Sequence, residues 1–412
     1  MSPMINTNHR SHRTETSTNR TKQKRKASKT IKRNSNENRI ASSVTAGTTC
    51  FTRCTILCLA FAGLLIFRYP SFIHENMKNY GKIVLKLDDV ATTPLRPEIE
   101  SLYGLDHYYM FPPANATSTG DPKGILLYLH SCQKSGLDFF TLPEHRIFAI
   151  NAIQQGMIVF APTSYNRASG CFTSEDVDWY LEKVVDGFIR NHQLHQLPRF
   201  GLGDSSGGSL LLFVHRALKL ESMAVYNSPQ GYVDSDINAK EVIPTVYLTM
   251  TSDGIITERT NANILKLQEM NVSAKLYTVS PRPFTESLCP ARLPELPPEF
   301  CRHIFQTIER EYSNLLGTHG NVIEGDVTSE QWQHCFKKLE SDYKISSTTD
   351  TFDNLISYGN EKNAASTTEA KSWLRVILEQ EIQTCYGYHA MTAQFHNEIL
   401  TFLLSNARMN RN

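Results

Sequence analysis

The sequence predicts an α/β domain with a mostly parallel central sheet and helices on both faces, spanning residues 83–412. Two observations carry this prediction. Short uncharged apolar runs, such as Gly124–Leu129 and Met157–Ala161, are typical of strands that are buried on both faces. Amphipathic stretches of helical length, such as residues 174–192, separate these runs and favour right-handed β-α-β units.

The predicted elements follow one another in a regular order. Strands are predicted at residues 82–87, 103–110, 124–129, 157–161, 199–203, 223–226, 245–250 and 274–279. Helices are predicted between them at residues 143–154, 174–192, 206–220 and 259–270.

Residues 281–385 interrupt the alternation and form a predicted helical insertion before the last helix. Six prolines between residues 281 and 298 indicate an irregular connector. Helices are then predicted at residues 299–316, 328–343, from 366 onward, and finally at 392–403, with a polar stretch at 344–365. The apolar faces of the insertion helices suit either a lid over a site or packing against the core.

The N-terminal region differs from the body in charge. Residues 1–53 contain twelve Lys and Arg against two Glu, whereas the rest of the chain contains thirty basic and thirty-nine acidic residues. We expect residues 1–53 to be a basic disordered tail, because they are polar and nearly free of aromatic side chains. A nucleic-acid-binding arm or an import signal would fit the basic run at 22–26, but the apolar segment that follows argues against both.

Residues 54–68 are predicted to be a signal anchor, followed by a linker at 69–82. Thirteen uncharged residues run from Thr55 to Phe67, and Arg53 and Arg68 flank this run. As a helix this run is roughly 20 Å long, so the flanking arginines would have to reach the membrane surface. The basic tail predicts a cytosolic N-terminus and a body that is lumenal or extracellular in the endomembrane system. A cleaved targeting peptide and a buried core helix are the alternatives.

Two features of the body also favour the lumen. Asn115 and Asn271 each begin a glycosylation acceptor triplet. Six of the nine cysteines lie in the body, where six reduced thiols are the alternative to disulfides. The expected pairs are Cys132–Cys171, Cys289–Cys301 and Cys335–Cys385. Neither the cysteine nor the histidine spacing matches a zinc site, and no metal or cofactor is predicted.

The strongest local motif is Gly-Asp-Ser-Ser-Gly-Gly at residues 203–208. It directly follows a predicted strand and opens a predicted helix, which is the setting of a nucleophile elbow. A phosphate-binding loop is the alternative, but the motif lacks the lysine and the glycine spacing of such loops. Ser205 is therefore the predicted nucleophile.

A serine nucleophile needs a base to take its proton and a carboxylate to orient that base. Asp253 is the predicted acid because it follows the strand at 245–250, although it could instead cap the next helix. Asp234 and Asp236 are its rivals. His389 is the predicted base, since it lies in a short loop before the last helix. The other histidines considered are expected to be structural, namely His215, His303, His319, His334 and His396.

The oxyanion that forms during acyl transfer needs hydrogen-bond donors. The backbone N–H of Ser206 is one predicted donor. The loop after the strand at 124–129 is predicted to supply the other, from Cys132 or, alternatively, from Ser131. A Cys132–Cys171 disulfide would stiffen this loop.

The segments at residues 124–133, 203–208 and 388–392 resemble those of the α/β-hydrolase superfamily. They resemble most closely a group of poorly characterised members from plants and algae, with an HGC-like segment after the third strand and a YHxMT segment near the C-terminus. The resemblance covers roughly residues 124–403. It implies the α/β-hydrolase fold and a Ser205–Asp253–His389 triad, but it brings no substrate.

The chain departs from this pattern in two places. Ser131 stands where the family has glycine, which would narrow the oxyanion hole. Residues 280–388 separate the last predicted strand from His389, where many relatives have a short loop, so a folded insertion must return the histidine to the site.

The predicted activity is that of a serine hydrolase that cleaves a carboxylic or lipid-like ester through an acyl-enzyme. A catalytically silent hydrolase fold that serves as a scaffold, or an acyltransferase with the same triad, is the alternative. The expected partners are an acyl substrate and a membrane bound by the N-terminal segment. No nucleic-acid partner is expected.

Overall fold

Eight strands form the central sheet of the computed structural model, which describes residues 95–228, 230, 241–293, 296–346 and 373–407. The strands are β1 (Glu98–Leu102), β2 (Leu105–Met110), β3 (Gly124–Leu129), β4 (Met157–Ala161), β5 (Arg199–Asp204), β6 (Leu220–Tyr226), β7 (Thr245–Met250) and β8 (Ala274–Val279). The predicted tail, anchor, linker and first strand all lie outside the described residues. No helix in the described part of the chain combines the length and apolarity that crossing a bilayer would require.

The strands lie in the order β1-β2-β4-β3-β5-β6-β7-β8. β1 pairs with β2, and β2 pairs with β4, in antiparallel orientation. The other neighbouring strands, from β4 across the sheet to β8, pair in parallel. The helices are α1 (Asp138–Thr141), α2 (Pro143–Gln154), α3 (Leu181–Asn191), α4 (Ser206–Val214), α5 (Gly254–Glu269), α6 (Leu288–Arg292), α7 (Pro298–Glu311), α8 (Glu330–Ser346), α9 (Trp373–Tyr386) and α10 (His396–Asn406). This is the α/β-hydrolase fold, as the sequence predicts.

Helices cover both faces of the sheet, and the alternation of side chains along each strand supplies two separate cores. From β3, Leu126 and Tyr128 enter the core on the face covered by α2 and α10. Leu127 and Leu129, which point the other way, enter the core on the face covered by α3, α4 and α5. Every residue of β3 is buried, which explains why the strand reads as an uninterrupted apolar run.

The insertion helices α6 to α9 pack around a third apolar core of their own, with Trp332 fully buried in it. Cys335 and Cys385 both lie in this core as free thiols. The predicted Cys335–Cys385 disulfide is therefore wrong, because both side chains pack as small apolar groups among their neighbours. The other two predicted pairs, Cys132–Cys171 and Cys289–Cys301, are confirmed.

Several predicted boundaries move for identifiable reasons. The helix predicted at 259–270 begins at Gly254, because the side chain of Asp253 accepts the N–H of Ile256 as an N-cap. The last helix begins at His396 rather than at residue 392, because the preceding backbone bonds to Glu144 instead. The edge strand β1 was not predicted; it pairs with β2 through a tight turn in which Tyr103 has a positive φ of 54°.

Candidate active site

Ser205 lies at the turn between β5 and α4, with φ 53° and ψ −111°. Residues other than glycine rarely adopt such a backbone conformation. The N–H of Ser205 donates to the carbonyl of Tyr226 at 2.9 Å, which ties the turn to β6. A Cβ on Gly203 would clash with the backbone of Gly207, and one on Gly207 would clash with the carbonyl of Leu129. The turn therefore has the close strand–helix approach of a nucleophile elbow.

Two hydrogen bonds connect Ser205, His389 and Asp253 in sequence. The Nε2 atom of His389 lies 2.8 Å from Ser205 Oγ, and its Nδ1 atom lies 2.9 Å from Asp253 Oδ2. The Asp253 side chain is 9% exposed and that of His389 is 33% exposed. If Nδ1–H donates to the carboxylate, Nε2 is left free to accept the serine proton. The structure thus brings together the three residues that the sequence predicts as nucleophile, acid and base.

Asp253 uses its two carboxylate oxygens for different partners. Oδ1 accepts the N–H of Ile256 at 3.4 Å, as the N-cap of α5, while Oδ2 faces His389. The capping bond orients the carboxylate and leaves the second oxygen for the histidine. Helix capping and the predicted orienting role therefore do not compete.

The backbone before His389 is fixed to the end of β7. Ser252 donates its N–H to the carbonyl of Gly387 at 2.9 Å and its hydroxyl to the carbonyl of Tyr386 at 2.7 Å. His389 itself has a positive φ of 39°. The surrounding contacts must hold this conformation in place, since such a φ is unfavourable for histidine.

The backbone after His389 is held from two other elements. Asn227, directly after β6, donates from Nδ2 to the carbonyl of Ala390 at 2.8 Å. The carboxylate of Glu144, near the start of α2, accepts the N–H of Ala393 at 2.6 Å and the hydroxyl of Thr392 at 3.3 Å. Two strand ends and the start of α2 therefore position the histidine loop.

Glu144 also joins this loop to the insertion. Its side chain is fully buried and forms ion pairs with Arg292 and, at 3.4 Å, with Arg282. Glu381 of α9 pairs with the same two arginines at 3.4 and 3.9 Å. A buried charge is tolerable only when it is paired and hydrogen-bonded, as Glu144 is here.

The loop after β3 is fixed by His130, which is fully buried. Its Nδ1 lies 2.8 Å from the carbonyl of Ser131, and its Nε2 accepts the N–H of Ser164 at 3.0 Å. Burial lowers the pKa of His130 to about 3, so the ring is neutral at neutral pH. A neutral ring with its proton on Nδ1 satisfies both contacts.

The same loop lies against the elbow. The hydroxyl of Ser206 accepts the N–H of Phe172 at 3.4 Å and donates to the carbonyl of His130 at 3.5 Å. The Cys132–Cys171 disulfide joins the two loops that meet there, with a Cα–Cα distance of 4.0 Å. Within the described residues, neither the N–H of Ser206 nor that of Cys132 has an acceptor.

The remaining candidates lie elsewhere. Asp234 and Asp236, the rival acids, are outside the described residues. His215 bonds the carbonyl of Glu241, and His396 is buried with its Nδ1 2.6 Å from the carbonyl of Ala393. The other three histidines belong to the insertion, where His303 pairs with Asp342 and where His319 and His334 are exposed. In the described ranges, no group of three or more His, Cys, Asp or Glu side chains is arranged to hold a metal ion.

Four residues around the site were missed by the sequence analysis, namely His130, Glu144, Asn227 and Ser252. His130 and Asn227 each follow a buried strand directly, which is a usable signal at this edge of a parallel sheet. Glu144 gave no such signal, because a glutamate in the first turn of a helix is ordinarily a surface residue that interacts with the helix dipole.

No protein-family model matches the sequence, and no curated protein is similar to it. Solved structures with a similar course of the chain include the propionate-bound esterase Est2 of the planctomycete Thermogutta terrifontis, at 11% identity, TM-score 0.34, 45% coverage of this chain and 83% of the other. The dienelactone hydrolase of Anabaena variabilis matches at 15% identity, TM-score 0.32 and coverages of 46% and 88%. A soluble variant of the Saccharomyces cerevisiae monoglyceride lipase, in complex with a substrate analogue, matches at 15% identity, TM-score 0.33 and coverages of 46% and 87%. Likenesses at this level carry no information about the activity of this chain.

Proposed function

We propose that this chain is a serine hydrolase that cleaves a carboxylic or lipid-like ester through an acyl-enzyme. The observation that carries the proposal is the pair of hydrogen bonds, 2.8 and 2.9 Å, that joins Ser205 to His389 and His389 to Asp253. Both bonds have ordinary hydrogen-bond lengths, so His389 is within reach of the Ser205 proton and Asp253 is placed to orient the imidazole. The strained backbone at Ser205 supports the proposal further, since strain of this kind is retained mainly at functional sites.

In the proposed reaction, His389 Nε2 takes the proton of Ser205 as Oγ attacks the ester carbonyl carbon. The carbonyl oxygen becomes an oxyanion that accepts hydrogen bonds from the N–H of Ser206 and of Cys132, with Ser131 as the alternate to Cys132. The protonated His389 is stabilised by Asp253. It then gives its proton to the leaving alkoxide oxygen as the carbon–oxygen bond breaks, which leaves the acyl group on Ser205.

Water completes the cycle by the same steps. His389 takes a proton from the water molecule, the resulting hydroxide attacks the acyl-enzyme, and Ser205 leaves as it regains its proton from His389. The products are a carboxylic acid and an alcohol. Transfer of the acyl group to another alcohol would use the same residues, so the identity of the acceptor distinguishes a hydrolase from an acyltransferase.

We also propose on which side of a membrane the hydrolase domain lies. Residues 54–68 would anchor the chain, with the basic tail in the cytosol and the hydrolase domain in the lumen or outside the cell. Two disulfides in the body and the exposed positions of Asn115 and Asn271 support this orientation.

An active-site-directed fluorophosphonate probe tests the function. We expect the full-length protein to be labelled at Ser205, a Ser205→Ala variant to remain unlabelled, and a Ser313→Ala variant, changed at an exposed serine of the insertion, to be labelled like the wild type. Equal labelling of the wild type and Ser205→Ala would show that the chain is a silent scaffold or that another nucleophile acts. An added alcohol that diverts the acyl group from water would identify an acyltransferase.

A further inference from the structure

A groove of about 600 Å³ opens at Ser205 and is not explained by the catalytic residues. Helix α4 forms one wall, and the chain from Phe172 to Val177 forms the other. Apolar atoms form most of the groove's lining, and Leu210 and Phe213 of α4 contribute to it. Phe213 is 65% exposed at the edge of this groove, so its ring is available to contact an apolar ligand.

The α4 wall has a regular geometry. Ser206, Ser209, Leu210 and Phe213 are spaced at i, i+3, i+4 and i+7, so they lie on one face of the helix. The eight residues from first to last extend roughly 10 Å, about the extended length of an eight-carbon chain. The wall is polar beside the elbow and apolar beyond it. This order suits a ligand whose carbonyl group lies at the elbow and whose alkyl chain extends away from it.

The position of the groove relative to His389 decides which part of an ester it can hold. The leaving oxygen must lie beside His389, because this residue donates a proton to it. The acyl chain leaves the carbonyl carbon on the other side. None of the described residues that line the groove belongs to the loop at 386–393, whereas Ser206, the proposed oxyanion donor, does line it.

We propose that this groove is the acyl-chain subsite and that it selects straight fatty acyl esters of about eight carbons. The inference rests on the proposed serine hydrolase function and specifies its substrate class. Leu210 and Phe213 remove the outer methylenes of the chain from water, while a peptide-like acyl group would leave polar atoms unsatisfied against the same surface. None of the described residues that line the groove lies beyond Phe213 on α4, so we expect longer chains to gain nothing more.

The test uses full-length protein and p-nitrophenyl esters of straight-chain acids from acetate to hexadecanoate. We expect kcat/KM to rise about two- to fourfold for each methylene up to octanoate and then to level off. Ser209→Trp, which fills the groove midway, should lower the octanoate-to-acetate ratio of kcat/KM by at least tenfold. Phe213→Asp should lower the same ratio by about three- to tenfold. Leu265→Asp, a similarly exposed position on α5, is the matched control and should leave the ratio unchanged.

Two kinds of failure are distinguishable. If the wild type cleaves acetate and octanoate esters equally well through Ser205, or if Ser209→Trp leaves their ratio unchanged, the groove does not bind the acyl chain, although the hydrolase function stands. If no ester is cleaved and Ser205 is not labelled by the probe, the proposed function is wrong and the acyl subsite is wrong with it.

Discussion

The carboxylate of Glu144 accepts a hydrogen bond of 2.6 Å from the backbone N–H of Ala393, four residues beyond His389. The two residues are 249 positions apart in the sequence. The same carboxylate forms ion pairs with Arg282 and Arg292 of the insertion. One buried side chain therefore connects the insertion to the loop that carries the proposed catalytic base.

Glu144→Gln tests the importance of this connection. An amide has a single acceptor oxygen, so it cannot accept from both the Ala393 N–H and the arginines. We expect kcat for an ester to fall about tenfold with little change in KM, because His389 is displaced. The free energy of unfolding should fall by about 3 kcal/mol, since the buried Arg292 and the half-buried Arg282 both lose a partner.

Glu381→Gln is the matched control for this prediction. It removes a carboxylate from the same two arginines, and among the described residues Glu381 has no hydrogen bond or ion pair with the loop after His389. It should destabilise the fold by a similar amount while leaving kcat within about twofold. Equal losses of kcat in both variants would mean that the ion pairs act only through overall stability.

Asp253→Asn separates the orienting role of this residue from its helix-capping role. Asparagine is a good N-cap, so α5 should keep its start and the melting temperature should change little. The amide cannot stabilise the imidazolium, and its NH2 group favours the wrong histidine tautomer, so kcat should fall by about 10³- to 10⁴-fold. Measured kcat and melting temperature together check both expectations. A loss smaller than tenfold would remove Asp253 as the acid and make Asp234 the next residue to test.

The Cys132–Cys171 disulfide should affect both stability and catalysis. From the loop-closure entropy of the unfolded chain, this bridge, with its 39-residue separation, stabilises the fold by about 4 kcal/mol. The Cys289–Cys301 bridge, with a separation of 12, stabilises it by about 3 kcal/mol. Cys171→Ser should also lower kcat about tenfold, because it frees the loop that is proposed to supply an oxyanion donor. Cys289→Ser should leave kcat unchanged. Chemical denaturation and ester kinetics on both variants measure the difference, and an unchanged kcat in Cys171→Ser would argue against Cys132 as a donor.

Acid should destabilise the fold through two buried histidines. Burial lowers the pKa of His107 to about 4 and that of His130 to about 3. In the unfolded chain the pKa is about 6.5, so below that pH the unfolded state binds more protons than the folded state. The stability that depends on the neutral rings is complete above about pH 6.5 and declines towards pH 4. At pH 4, His107 alone lowers the free energy of unfolding by an amount on the order of 3 kcal/mol relative to neutral pH.

Urea denaturation of the wild type and of His107→Asn between pH 7 and pH 4 measures this loss. Asparagine can keep an acceptor for the Thr163 N–H that bonds to His107 Nδ1, but it does not titrate. The variant should therefore lose less stability on acidification than the wild type does. His195→Asn, at an exposed position, should follow the wild type. Identical pH profiles for His107→Asn and the wild type would contradict the prediction.

The proposed orientation in the membrane predicts two glycans on the hydrolase domain. In a eukaryotic host, glycosidase treatment should increase the gel mobility of the wild type, and Thr117→Ala and Ser273→Ala should each remove one part of that shift. Protease added to sealed vesicles should digest the basic tail but leave the domain with Ser205 intact. Digestion of the domain instead, without any glycosidase shift, would place it in the cytosol.

The fold class and the position of the proposed nucleophile follow from the sequence because both depend on local patterns. A fully buried strand needs an unbroken apolar run, and the elbow needs glycines within two residues of Ser205. Asp253 and His389 could also be proposed, since each lies in a short loop at an element boundary. Their roles as acid and base remain predictions, although the structure brings both side chains together with Ser205.

What the sequence could not determine depends on contacts between distant residues. A Cys335–Cys385 disulfide was expected from the sequence, whereas the packing of α8 and α9 leaves two buried thiols. Glu144 looked like a surface residue at a helix start, and only the tertiary structure surrounds it with the loop after His389 and the insertion arginines. By itself, then, the sequence determined the sheet, the elbow and Ser205, because hydrophobic periodicity and backbone sterics act over a few residues. The tertiary structure decided how His389 is held and what the groove beside Ser205 is made of, because burial and electrostatic pairing are set by neighbours in space rather than in the chain.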